Sequence, residues 1–359
     1  MSSSFGDKIN CTIFGQSHGE AIGIVMDGLP AGEQIDMDEL ALFLARRAPG
    51  QNEYSTKRRE PDKPKFLSGI VDNVTCGAPL CAVIENSDVR SGDYAQLMDV
   101  PRPGHADYPA HIKYKGFNDI RGGGHFSGRL TAPMCIAGGI LKQILRRRGI
   151  HIGAHIASIA GIHDARFDPV NVTERDFAAV AGKAFPVIDD NAGDLMKAAI
   201  LNAKDSGDSV GGTIECCVIG VPAGTGEPMF GGIENVISTA VFAVPAVKGI
   251  EFGAGFAVSD MRGIENNDPY CFDASGAIKT TSNNHGGSLG GLATGMPIIF
   301  KTAHKPTPSI SKEQDSVSIS DQKNVKLSIS GRHDPCIVPR SVPCIESAVA
   351  IAIANMISL

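Results

Sequence analysis

Five short segments set imidazoles, guanidinium groups and glycines where they can do chemistry. The first is Phe14-Gly15-Gln16-Ser17-His18-Gly19-Glu20, directly after an apolar, strand-like run. A histidine between glycines at a strand end can place its ring against a ligand, with Ser17 holding the ring or bonding the ligand. Adjacency does not make the two a nucleophile–base dyad, because neighbours in a strand point to opposite faces. Residues 15–19 also spell G-x-S-x-G, the letters of a hydrolase elbow. That motif needs a helix straight after it, and residues 21–26 read as a strand. Taken alone, the segment reads as a surface turn with an incidental histidine.

The second segment is Arg102-Pro103-Gly104-His105-Ala106-Asp107-Tyr108. Asp107 is placed to keep the His105 ring protonated, although such a turn is also common as plain structure. The third, Arg121-Gly122-Gly123-Gly124-His125-Phe126-Ser127-Gly128-Arg129, runs into an apolar helix. Three glycines before a helix N-terminus free backbone N–H groups for an anion, and the helix dipole favours negative charge there. Arg121 and Arg129 add planar forks suited to phosphate. The spacing is neither a Walker loop nor a dinucleotide fingerprint, and a flexible hinge is the alternative.

The fourth is Gly331-Arg332-His333-Asp334-Pro335, where the proline pushes Asp334 toward extended geometry and can aim its carboxylate into a cleft. The fifth is the glycine cluster at residues 283–291, followed by Lys305-Pro306-Thr307-Pro308-Ser309. Both suit close backbone approach to a planar or phosphorylated cofactor. His151 and His155 are four apart, but Ile150-His-Ile-Gly-Ala-His-Ile156 alternates like a strand and lacks H-E-x-x-H, so no metal site is expected. Together the residues describe an enzyme acting on a phosphorylated anion with acid–base groups.

The elements that must position these groups alternate irregularly. Helices are expected over residues 36–47, 127–147, 174–185, 193–204 and 233–244, with a last one from about 342 to the end. Asp36 caps the first, and Pro133 pushes the regular part of the second beyond Ser127. Strands are expected over 213–221, 249–258 and 296–302. This pattern favours an α+β fold of helices on largely antiparallel sheets.

The bulk composition narrows the class. Glycine makes up 42 of 359 residues, about 12% against a usual ~7%, without a fixed period. Apolar residues are 42%, charged residues 20% and the net charge is −6, which argues against a nucleic-acid binder. Residues 46–65 nonetheless gather Arg46, Arg47, Lys57, Arg58, Arg59, Lys63 and Lys65 against Glu53, Glu60 and Asp62, which suits a small anionic ligand or a solvated loop. The nine cysteines include no C-x-x-C pair and read as free thiols in a reducing compartment. No signal peptide or membrane span is visible, so a cytoplasmic location with no membrane partner is expected.

These motifs, in this order, resemble chorismate synthase. The match also takes in Asp205-Ser-Gly-Asp208-Ser209, Gly220-Val-Pro-Ala-Gly-Thr-Gly-Glu227-Pro and Ala246-Val-Lys248-Gly-Ile-Glu251, and it runs from about Phe5 to the last helix. The resemblance implies a single domain over 1–359, a β-α-β sandwich with long helices between antiparallel sheets, assembled as a homotetramer. It implies conversion of 5-enolpyruvylshikimate 3-phosphate to chorismate and phosphate by 1,4-anti-elimination. Reduced FMN is required without net redox change.

By position, His18 would protonate the departing phosphate with help from Ser17, and His105 would adjust protonation of the flavin. Asp334 would assist removal of the ring proton, with Ser127 supporting the flavin. His125, Phe126, Ser127, Pro245, Ala246, Gly290, Lys305, Pro306, Thr307, Pro308, Ser309 and Arg332 align with flavin-binding segments. Arg47, Arg102 and Arg129 align with contacts to the substrate anion.

The chain also departs from the family pattern. Gln16 replaces a usual Glu, His125-Phe126-Ser127-Gly128 replaces a usual Arg-Ser-Ser-Ala, and arginines usual at positions 48 and 53 are Ala48 and Glu53. Lys57 or Arg58 is expected to compensate. The lack of a large insertion favours an external flavin reductase, with NADPH as an indirect reductant. The competing readings are a homologue that binds flavin or phosphate without turnover, and a simple phosphatase.

Overall fold

The computed structural model describes residues 3–50, 52–56, 60–86, 97–329 and 334–359. The chain opens as an antiparallel meander of β1 (Ser4–Phe5), β2 (Asn10–Gly15) and β3 (Ala21–Asp27). Then comes α1 (Met37–Arg47), whose first turn is closed by Asp36 accepting from the N–H groups of Asp38 and Glu39 at 3.0 and 2.9 Å. β4 (Lys65–Ser68), the small hairpin β5 (Ile70–Val71) and β6 (Val74–Thr75), and β7 (Leu80–Glu85) follow. The first sheet has the order β1-β2-β3-β7-β4, with antiparallel neighbours throughout.

The middle of the chain supplies α2 (Asp107–Lys113), α3 (Thr131–Arg147), β8 (His151–Ile159), β9 (Ile162–His163), α4 (Glu174–Ala181) and α5 (Asp190–Asp205). After it come β10 (Gly212–Ile219), α6 (Ile233–Val241), β11 (Val247–Phe252) and α7 (Gly263–Asn266). Two short hairpins, β12 (Tyr270–Phe272) with β13 (Ile278–Thr280) and β14 (Ser288–Leu289) with β15 (Leu292–Ala293), lead into β16 (Ile298–His304). The hairpin β17 (Gln314–Ser318) and β18 (Lys323–Leu327) precedes α8 (Val338–Met356). The second sheet is β11-β16-β10-β8-β9, again antiparallel.

Two helices join the sheets. Among the described elements, α3 packs on β2, β3 and β7, α8 packs on β8 and β10, and the two pack on each other. Both are apolar on nearly every side, which only a fully enclosed helix tolerates, and residues 341–354 of α8 are buried without a break. One continuous core therefore runs from Ile9 and Ile24 through Ile140 and Ile345 to Ile214 and Phe300. This is the α+β sandwich expected from the sequence.

The differences have local causes. Ser127 caps a 3-10 turn at Gly128–Leu130, so α3 begins at Thr131 with Pro133 in its first turn. α8 begins at Val338, four residues earlier than expected, because Pro339 sits where a missing N–H costs nothing. β11 stops at Phe252: Gly253 takes φ +57°, and a 3-10 turn at Gly255–Asp260 replaces the rest of the expected strand. The helix expected to reach residue 185 ends at Ala181, and α2, too short to show a period, was not expected at all. His155 lies in a strand as read, buried between Asp164 at 2.9 Å and Glu215 at 3.1 Å. Among the described residues, no helix is long and apolar enough to cross a membrane.

One buried carboxylate ties three helices together. Glu346 of α8 is 1% exposed and accepts from Arg46 of α1 at 2.6 and 3.1 Å and from Lys142 of α3. Burial alone would raise its pKa, but the two cations outweigh burial and hold it below the usual range. A depressed pKa means the triad's contribution is complete above the unfolded-state value, about 4.3, and is lost as pH falls through the folded one. Glu346→Ala leaves two cations without their anion and is expected to destabilise the fold by about 3–5 kcal/mol in chemical denaturation at neutral pH.

Candidate active site

The site lies where α1 ends and α3 and α8 begin. Arg47, in the last turn of α1, is buried, which a guanidinium tolerates only with partners. Its Nη1 donates to Asp62, and its Nε donates to Thr131 Oγ1 at the start of α3, 3.1 Å away. Arg129 donates to the other oxygen of Asp62, with Glu60 3.6 Å from its Nη2. Burial alone would push the Asp62 carboxyl up, but the two guanidiniums hold it below the usual carboxylate range. Two of the three acids inside the basic stretch at 46–65, Glu60 and Asp62, are thus inner partners of the arginines.

Arg129 Nε also donates to Asn86 Oδ1 at 3.2 Å, and the Asn86 amide donates to the carbonyls of Gln16 and Gly19. That loop joins β2 to β3 as a hairpin, which rules out the strand–helix elbow. It is bolted a second time by the Ser17 N–H, which donates to the Gly124 carbonyl at 3.1 Å. His18 and Ser17 are buried directly behind the glycine loop. Gly122 has φ +60°, and a Cβ there would stand 2.0 Å from His18 Nδ1 and 2.8 Å from Ser17 Oγ. Only glycine fits that backbone and that space.

On the other side of the same loop, His105 Nδ1 lies 2.6 Å from Asp107 Oδ1 and donates to it. Asp107 is held bidentately by Arg102 at 2.7 Å from both Nε and Nη2. Burial raises the Asp107 pKa, but Arg102 and His105 outweigh it and keep the carboxyl far below its usual range. With Nδ1 engaged, His105 Nε2 faces the glycine loop, 3.1 Å from where a Cβ on Gly123 would be. Adjacent glycines of the loop therefore pack against two different imidazoles, Gly122 against His18 and Gly123 against His105.

The enclosed space is a cleft of about 540 Å³, within the ~300–1,000 Å³ typical of small-molecule sites. Of the residues singled out in the sequence, Arg47, Arg102, His105, Phe126, Ser127, Arg129, Pro245, Ala246, Thr307, Pro308, Ser309 and Asp334 line it, with Lys305 and His125. Ser17, His18, Pro306 and Gly290 do not. Gly290 sits in the tight turn between β14 and β15, at φ +60°. His125 is committed to its own chain: Nδ1 donates to the Gly15 carbonyl and Nε2 accepts from Ser3, both at 2.8 Å. Arg121 is turned to Asp119. Glu53 is exposed and outside the cleft; Arg332, Lys57 and Arg58 lie outside the described residues.

Several groups were missed in the sequence. Arg340, in the first turn of α8, donates to Asp334 and to the Arg47 carbonyl, and the Thr56 N–H donates to Asp334 at 2.8 Å. Placing the start of α8 four residues late left Arg340 looking like part of a loop. Asp62 and Glu60 gave a signal, two acids in a basic run, that reads equally as surface charge.

The cleft wall carries polar donors that a bound group could satisfy. Thr307 Oγ1 is buried with no hydrogen-bond partner among the described residues, and so is Arg129 Nη2. Both donors belong to residues on the cleft wall, beside the partly exposed ring of Phe126.

A family model described as chorismate synthase matches residues 9–358. The chain belongs to the chorismate synthase family. It is 44% identical over 356 residues to the chorismate synthase of Dehalococcoides mccartyi, covering 99% of this chain and 96% of that one. It is 45% identical to that of Pyrococcus abyssi over 352 residues, covering 98% and 96%. It is 43% identical to that of Thermococcus kodakarensis over 350, with the same coverage. A solved structure titled "Crystal Structure of Chorismate Synthase" shares the fold, with a TM-score of 0.77 at 24% identity over 98% of this chain and 92% of that one.

The packing of Gly122 against His18 gives a direct test of the family site. Gly122→Ala is expected to displace the His18 ring and lower turnover by about 10–100-fold, as small misplacements of catalytic groups do. Far-UV circular dichroism should remain that of the unsubstituted chain.

Proposed function

We propose that this chain is a carbon–oxygen lyase that converts 5-enolpyruvylshikimate 3-phosphate to chorismate and phosphate by 1,4-anti-elimination. The observation that carries the reading is the convergence of His105, three buried arginines, Ser127 and Asp334 on one cleft, with His18 behind its glycine wall. The residues come from segments more than two hundred positions apart, so their meeting is a property of the fold and not of local sequence.

Reduced FMN, once bound, would supply transient electron density to the reaction without net oxidation. Ser127, Phe126, Pro245, Ala246 and the 305–309 segment would hold it, with the Thr307 hydroxyl available to an oxygen or nitrogen of the cofactor. Arg47, Arg102, Arg129 and Arg340 neutralise the phosphate and carboxylates of the substrate. His18 donates a proton to the departing phosphate, an acid placed where a leaving group gains charge. His105, its Nδ1 fixed by Asp107, presents Nε2 as the atom that holds or gives up a proton. Asp334, held by Arg340 and the Thr56 N–H, accepts a proton or orients the group that does.

The chain acts as one domain over residues 1–359, in the cytoplasm, as a homotetramer. Phe230, Phe256, Ile264 and Phe272 are 88%, 83%, 86% and 75% exposed, and apolar side chains of this size in solvent favour self-association. Reduction of the flavin comes from an external reductase, with NADPH as the indirect source.

The test is an anaerobic assay of chorismate absorbance with substrate and chemically reduced FMN. Turnover is expected with reduced FMN and not with FMN plus NADPH alone. His18→Ala should lower kcat by about 10²–10⁴-fold, the usual contribution of a general acid. Binding of FMN and substrate without chorismate would overturn the lyase in favour of a binding-only homologue; phosphate release without flavin would indicate a phosphatase.

A further inference from the structure

The cleft wall also carries a thiol that the acid–base scheme does not use. Cys344, in the second turn of α8, lines the cleft. Behind it, Cys135 in the second turn of α3 is wholly buried, and the two sulfurs are 3.9 Å apart as free thiols. Three residues further along each helix, Gly138 meets Ser347 so closely that a Cβ at 138 would stand 2.3 Å from the Ser347 Cα. The missing side chain lets α3 and α8 touch backbone to backbone. A disulfide demands this, since its Cα atoms must lie within about 4.4–6.8 Å.

The surroundings divide the two thiols into different roles. The Cys135 thiol donates to Cys344, whose own thiol donates to the Arg340 carbonyl at 3.4 Å; the Cys135 hydrogen bond and the positive charges of Arg47 and Arg340 lower the Cys344 pKa despite burial. Burial and the Cys344 sulfur push the Cys135 thiol up. Elsewhere in the core, burial drives Cys11 up to about 12, and burial with the Asp334 carboxylate does the same to Cys336. A thiolate is the nucleophile in oxidation, and cationic neighbours make one. Cys344 is therefore the attacking sulfur and Cys135 its resolving partner.

We propose that Cys344 and Cys135 form a peroxide-sensitive dithiol at the edge of the cleft, whose oxidation to a disulfide switches the site off. The Cys344 thiolate attacks hydrogen peroxide: a sulfur–oxygen bond forms, the oxygen–oxygen bond breaks, and hydroxide leaves. Sulfur is oxidised to a sulfenic acid as peroxide is reduced. Cys135 then attacks that sulfur, the sulfur–sulfur bond forms, and the sulfur–oxygen bond breaks. The oxygen leaves as water with the Cys135 proton. The proton first lost by Cys344 combines with the hydroxide, so two thiols and one peroxide give a disulfide and two waters.

Bridging draws the sulfurs from 3.9 Å to about 2.05 Å. The Gly138–Ser347 contact leaves the middle of α8 no room to follow. The shift therefore falls on its first turns, which carry Arg340 and, through it, Asp334. Formation of the disulfide is independent of the activity proposed above; its consequence rests on that reading.

The full chain, reduced and then treated with hydrogen peroxide, is alkylated and digested without reductant. The expected product is a linked peptide pair joining Cys135 to Cys344, which disappears on treatment with dithiothreitol. Turnover should fall at least about 10-fold on oxidation and return with the reductant, as expected for displaced positioning groups. Cys135→Ala should keep its starting turnover and accumulate sulfenic and sulfinic acid on Cys344.

Absence of the linked pair at peroxide concentrations that oxidise the exposed Cys76 and Cys271 overturns the proposal. So does a linked pair that leaves turnover unchanged. If the reduced chain makes no chorismate at all, the lyase reading fails, while the linked peptides still decide whether the dithiol exists.

Discussion

The shared carboxylate of Asp62 is the interaction on which the site depends. Two buried guanidiniums, from the last turn of α1 and from the turn that opens α3, would repel each other at this distance without it. Burying three charges costs several kcal/mol per ion after relaxation, so the cluster is not there to stabilise the fold cheaply. What it does is fix the relative position of three chain segments. Arg47 carries the position of α1, Arg129 carries the glycine loop and the start of α3, and Asp62 carries the stretch between α1 and β4. Because Arg129 also reaches Asn86, and Asn86 holds the Gln16 and Gly19 carbonyls, the same cluster sets the hairpin bearing His18.

Two further carboxylates repeat the arrangement on the other walls. Asp107 organises Arg102 and His105, and Asp334 organises Arg340 and the Thr56 N–H. In each case a buried or half-buried acid presents an arginine at a defined angle instead of leaving it to sweep through solvent. A guanidinium has five donors, and one carboxylate satisfies at most two or three of them. The cations are thus held in place with donors to spare, which is what a multiply anionic ligand requires of its binding site.

The enclosed helix was legible in the sequence because its signal is long: residues 127–147 are apolar on nearly every side, and such a helix has to be buried, while the sandwich itself came with the family resemblance. Roles for His18, His105, Arg47, Arg102 and Arg129 were suggested only by their ordered resemblance to a family, since each motif alone reads as a plausible turn. What stayed hidden has a physical reason. Asp62 and Glu60 look like surface charge until Arg47 and Arg129 arrive from 15 and 67 residues away. His125 looked like a cofactor ligand, yet its ring nitrogens close the glycine loop onto Ser3 and Gly15, contacts across more than a hundred residues that no local pattern encodes. Pro339 hid the start of α8, because a proline reads as a break until its place in a first turn is known.

The placement of helix ends gives the cleft a field that favours anions without a large positive charge on the protein. The long helices α3 and α8 both begin at the cleft, with Thr131, Ile337 and Ser341 on its wall. Each N-terminus contributes the equivalent of about half a positive charge, concentrated in the first turn. The helix whose C-terminus points the same way, α1, ends in Arg46 and Arg47, which cancel its negative end. Three carboxylates then offset much of the arginine charge. The balance left is a field made largely of fixed dipoles and oriented N–H donors, which need no rearrangement when a charged group arrives or departs. A chain with a net charge of −6 can thereby hold a small polyanion at one point while its surface repels large ones.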